Sequence, residues 1–125
     1  MQDRTCIPAT LSIDLKKYRI RIHKSTLRSL GDPQYIQLLV NPENMMVAIR
    51  SVTCDSSHAQ THKISHCPEG SDSSVELYSR SFISRLCTVV SDLRSGETYR
   101  MNGEVLPSQN LAAFSLKTIR RTNGS

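Results

Sequence analysis

The sequence predicts a small α+β protein, a mixed β-barrel or sheet built from two pseudo-repeated strand–helix–hairpin units. Three observations predict it. Apolar residues alternate over residues 18–22 and in several other short runs, which is the period of a half-buried strand. Two segments carry apolar residues at helical spacing: Leu27 and Leu30 in one, Phe82, Ile83 and Leu86 in the other. The order of elements in residues 10–52 recurs in residues 75–121, across a polar connector at 53–74. At 125 residues, 38% of them hydrophobic, the chain suits one domain, 1–125, with a modest core.

Residues 1–9 are mixed and polar and are expected as a loose terminus. Leu11, Ile13 and Leu15 alternate, then Tyr18, Ile20 and Ile22. The phase slips by one residue at Lys16-Lys17, which predicts a bulge or break. Ser25 suits a helix N-cap and Gly31 a stop. Asp32-Pro33 turns the chain into a strand at 35–40, the Asn-Pro-Glu-Asn of 41–44 is a tight turn, and 45–52 is the returning strand. The connector is rich in Ser, Thr, His and Asp, with a short strand expected at 61–65. A strand at 75–78 then leads to a helix capped by Ser79 or Ser81. Its apolar face is Phe82, Ile83, Leu86, Cys87, Val89 and Val90, with Cys87 read as a buried small hydrophobe. Residues 92–96 end it. Residues 97–106 form a strand in which Asn102-Gly103 allows either a hairpin turn or a continuous bulged strand. A turn at 107–110, a strand at 111–119 and a polar tail at 120–125 complete the chain. Residues 23–30 align with 79–86, Tyr35 with Tyr99, and the Pro42 turn with the Pro107 turn. That pattern predicts an internal duplication.

A net charge of +5 is compatible with a polyanionic partner. The candidate contacts are Lys17, Arg19 and Arg21 on one strand face, with Lys16 beside them, and Lys24 and Arg28, four apart on one helix face. If strand and helix abut, these cations converge, and a phosphate backbone would reward them by counterion release. The competing reading is a solvated face that protects an edge strand from aggregation. No interleaving of aromatic and basic residues suggests single-strand stacking.

Cys54, His58, His62, His66 and Cys67 offer zinc-type donors, four of them spaced by fours and on one face only if the segment is helical. The favoured reading is a solvated connector with no metal and no cofactor. The four cysteines contain no CxxC pair and are read as free thiols. No Gly-x-Ser-x-Gly elbow occurs and the acidic residues are scattered, so no enzyme is expected. No apolar run approaches the roughly 20 residues of a membrane span. Residues 1–15 lack a signal-peptide pattern, and the expectation is a cytoplasmic protein.

Residues 19–52 resemble the swapped-hairpin β-barrel of the AbrB/SpoVT and MraZ-type regulators. Ile20, Ile22, Leu27, Leu30 and Gly31 match its strand and short helix, and Val47, Ile49 and Arg50 its returning strand. His23-Lys24 stands where that family has Ile-Pro. In the family two units interlock into one barrel; two in one chain would resemble the MraZ arrangement. The resemblance implies a DNA-binding transcriptional regulator with contacts at Arg19, Arg21, Lys24 and Arg28. The chain is also similar to small proteins of Gram-positive gut bacteria and their mobile elements, a likeness that carries no mechanism. A reading of a different class is a non-enzymatic protein-interaction or assembly module; a homodimer is allowed by both.

Overall fold

Leucine and isoleucine at every second position drive one face of each strand out of water. β1 (Ile7–Asp14) and β2 (Arg19–His23) bury Leu11, Ile13, Ile20 and Ile22 and turn Ser12, Asp14, Arg19 and Arg21 to the opposite face. The computed structural model describes residues 7–52, 61–64 and 74–122. Among them are nine strands and two α-helices. The first half continues with α1 (Lys24–Ser29), β3 (Tyr35–Asn41) and β4 (Met46–Val52). The second half runs β5 (Thr61–Lys63), β6 (Ser74–Tyr78), α2 (Arg80–Val89), β7 (Thr98–Leu106), β8 (Leu111–Ser115) and β9 (Arg120–Arg121).

The strands form a single barrel-like sheet in the order β5-β3-β4-β8-β7-β1-β2-β6, with β9 added to β7. Every ladder in it is antiparallel. The two halves are interlaced. β1 pairs with β7 and β3 with β5, while β2 meets β6 and β4 meets β8. The inner faces contribute Leu11, Ile22, Ile36, Leu38, Ile49, Met101 and Phe114, all essentially inaccessible to water. α1 adds Leu27, and α2 adds Phe82, Ile83 and Leu86, to the same core. Each such side chain contributes about 1.5–3 kcal/mol by leaving water.

Several local expectations are corrected, and two that left alternatives, the bulge or break at Lys16-Lys17 and the turn or strand at Asn102-Gly103, are resolved as a break and a strand. Ile7–Asp14 is strand from its first described residue, so residues 7–9 are paired with β7 rather than loose. The slip at Lys16-Lys17 is a four-residue turn, 15–18, in which Tyr18 takes a left-handed backbone (φ 55°). The Ser79 N–H donates to the Tyr18 carbonyl, and the Arg80 guanidinium lies 4.4 Å over the Tyr18 ring. These contacts hold a conformation that a bulky residue seldom adopts. The N-cap of α1 is His23, not Ser25, because strand β2 runs directly into the helix. In the β3–β4 turn the left-handed residue is Met45 (φ 55°), while Asn41 Oδ1 accepts from the Glu43 and Asn44 N–H groups. Cys87 is exposed on the solvent side of α2. Residues 116–119 leave the β8 line through a 3-10 turn, and residues 120–121 of the expected polar tail form β9. Asn102-Gly103 is continuous strand.

Candidate nucleic-acid interface

The outward residues of five adjacent strands, β9, β7, β1, β2 and β6, lie in rows set by the register. One row runs Arg120, Arg100, Ser12, Arg21, Glu76. The next runs Thr98, Asp14, Arg19, Tyr78. Strands are about 4.8 Å apart, so Arg100 and Arg21 flank Ser12 at about 10 Å. These rows line a shallow cleft of about 560 Å³, walled by Arg19, Arg21, Arg100, Arg120 and Arg121 with Asp14 as its one acid.

The arginines fall into two sets. Arg19 reaches Asp14 at 3.0 Å and Glu76 at 3.5 Å, and Arg21 reaches Glu76 at 2.8 Å. Burial works against the Arg19 charge, but Glu76, Asp14 and the Tyr78 hydroxyl outweigh it and raise its pKa. The hydrogen bond from Arg21 lowers the pKa of Glu76, against partial burial, with help from Arg19, Arg21 and Lys17. Asp14 also accepts the Lys16 N–H at 2.9 Å and the Lys17 N–H at 3.3 Å, which fixes the β1–β2 turn. This set is therefore largely neutralised and geometrically pinned.

The second set is Arg100, Arg120 and Arg121. All three are exposed, and no described carboxylate lies within ion-pair distance of them. Arg100 and Arg120 stand directly opposite each other on neighbouring strands. Like charges in that position repel. The short β9 is held against this repulsion by the Thr122 N–H donating to the Thr98 carbonyl at 2.9 Å and by a Thr98–Thr122 hydroxyl contact.

Of the five cations expected from sequence, the cleft takes Arg19 and Arg21. Lys17 sits in the 15–18 turn at its rim, close enough to act on Glu76. Lys24 and Arg28 are on α1, which leaves β2 at the end remote from Arg19, and they do not line the cleft. The expected convergence of strand and helix cations does not occur there. Sequence reasoning missed Arg100, Arg120 and Arg121. The signal was present as a basic pair, Arg120-Arg121, but nothing local showed it joining a sheet. Arg50 is engaged elsewhere, donating to Gln37 across the β3–β4 ladder at 2.6 Å.

Cys54, His58, His66 and Cys67 lie outside the described residues. His62 is on strand β5, not on a helix, so the spacing by fours does not set it on a helical face. Its Nε2 is buried without a hydrogen-bond partner among the described residues, and burial lowers its pKa. Among the described residues no three His, Cys, Asp or Glu side chains cluster as metal ligands. No described helix is long and apolar enough to cross a membrane. No family model, curated protein or solved structure matches the chain.

Proposed function

We propose that this chain is a small DNA-binding protein, a transcriptional regulator of AbrB-like type, that holds duplex DNA by its phosphates along the arginine face. The observation that carries the reading is the exposed Arg100, Arg120 and Arg121 cluster, with Arg100 opposing Arg120 and no described carboxylate within ion-pair distance of them. A fold that draws like charges together, with no ion pair to them among the described residues, is suited to an external polyanion. Phosphate contacts of this kind position a duplex without reading it. On this reading the protein acts in the cytoplasm, without catalysis or cofactor.

The interlaced topology supports the barrel part of the reading. Let β1, β2, α1, β3 and β4 exchange with β5, β6, α2, β7 and β8. The β1–β7 ladder then becomes β5–β3, and β3–β4 becomes β7–β8. The β2–β6 and β4–β8 ladders map onto themselves, about the pairs Arg21–Glu76 and Ala48–Ala113. Pro42 coincides with Pro107, and left-handed Met45 with left-handed Asn110. In this register Tyr35 coincides with Arg100, not Tyr99. Two copies of a strand–helix–hairpin unit that exchange hairpins account for all of this.

Fluorescence anisotropy of a pooled random duplex against the purified chain, over a salt series, tests the proposal. Each neutralised phosphate contributes about −0.9 to the slope of log K against log salt, so three arginines predict a slope near −3 or steeper. Absence of binding even at low salt would sink the reading.

A further inference from the structure

Farther along the same strands than the arginine cleft lies a second concavity, of about 410 Å³, lined by Pro8, Thr10, His23, Ser25 and Asn102 among others. The β1–β7 register fixes the relation between the two. Arg100 opposite Ser12 and Asn102 opposite Thr10 are successive outward pairs. The second concavity therefore begins one outward step, about 7 Å, beyond Arg100.

The chemistry changes over that step. Among the described residues no lysine or arginine lines the second concavity. The Asn102 N–H donates to Thr118 Oγ1 at 2.8 Å, which anchors the main chain, while its exposed carboxamide has no partner among the described residues. The His23 imidazole at the neighbouring wall makes no capping bond to α1. One outward step further on β7 is Glu104, opposite Pro8. An acid there repels phosphate. A backbone laid on the arginines thus has no reason to continue over this end, and a group with donors and acceptors but little charge fits it better.

We propose that this concavity reads base edges, with Asn102 as the principal reader and adenine its preferred base, beside a backbone held by Arg100, Arg120 and Arg121. The inference rests on the DNA reading above. An asparagine carboxamide donates to N7 and accepts from the N6 amino group of adenine in one plane, and a bidentate pair of this kind discriminates by about 1–3 kcal/mol, or roughly 5- to 150-fold. Thr10 and His23 supply further hydrogen-bonding groups, and Glu104 accepts from a cytosine amino group.

The test is selection of bound duplexes from a random pool by the full chain and by Asn102→Ala. It is followed by affinities for the selected duplex and for a scrambled one, with thermal melts to confirm folding. The expected result is enrichment of an adenine-containing site by the wild type. Asn102→Ala then loses roughly 5- to 150-fold on that site, while affinity for the scrambled duplex and the salt slope stay unchanged. Equal losses on both duplexes, no loss on either, or a wild type that binds duplex but enriches no sequence would overturn base reading by Asn102 and leave phosphate binding standing. A wild type that binds no duplex at all overturns both.

Discussion

His62 places an imidazole on β5 opposite an apolar residue of β3. It opposes Ile36 across β3–β5 as Leu11 opposes Met101 across β1–β7. Its Nε2 is buried and unpartnered, and burial lowers its pKa below the ordinary 6.5. Below the unfolded value the unfolded chain takes up a proton that the folded chain resists, so stability falls as pH drops through 6.5 and levels off only below the folded value. His62→Leu should raise the melting midpoint at neutral pH and flatten its fall between roughly pH 7 and pH 5, the window around an ordinary histidine. An unchanged pH profile in thermal melts would show that His62 is not the group responsible. The spacing of His62 from Cys54, His58 and His66 suggested ligands because sequence spacing alone does not distinguish a helical face from a strand. The β3–β5 pairing settles that for His62.

Elements with strong local signals were legible in sequence. The β3–β4 hairpin followed from the Asn-Pro-Glu-Asn turn between two apolar runs, and the start of α2 from Ser79 or Ser81, of which it is the Ser79 hydroxyl that accepts the Phe82 N–H at 3.2 Å. What was not legible depends on contacts between distant residues. β9 has two residues, too few to show a period, and only its pairing with Tyr99 and Arg100 makes it strand. Cys87 follows Leu86 in an apolar run, but α2 turns Phe82, Ile83 and Leu86 inward and leaves Cys87 outside. Gly103 read equally well as a hairpin turn or a strand. The backbone of β8 explains its place in a strand: a Cβ there would stand 1.9 Å from the Ala113 carbonyl oxygen and 2.6 Å from Phe114 Cα. Both are main-chain atoms of a paired strand, so neither can step aside cheaply. Gly103→Ala should cost about 2–3 kcal/mol, by the usual penalty of overpacking. The melting midpoint should fall by roughly 10 °C. A midpoint within a degree or two of wild type would contradict this close approach of β7 and β8.

At the scale of the whole molecule, the basic face is a product of topology. It gathers Arg19 and Arg21 from the first half with Arg100, Arg120 and Arg121 from the far end of the second, because β1 and β7 are neighbours. Reading along the chain favoured Lys24 and Arg28, which are close in sequence to β2 but leave its far end on α1. The pinning of Arg19 and Arg21 by Asp14 and Glu76 further divides the face into a neutralised half and a cationic half. The measurement that tests this most directly is the salt slope of duplex binding for Arg100→Ala/Arg120→Ala/Arg121→Ala beside that for Lys24→Ala/Arg28→Ala. The account predicts that the triple variant flattens the slope by about 2–3, at roughly 0.9 per lost phosphate contact, and that the helix variant leaves it near wild type. The reverse ranking, or equal slopes in all three proteins, would contradict it.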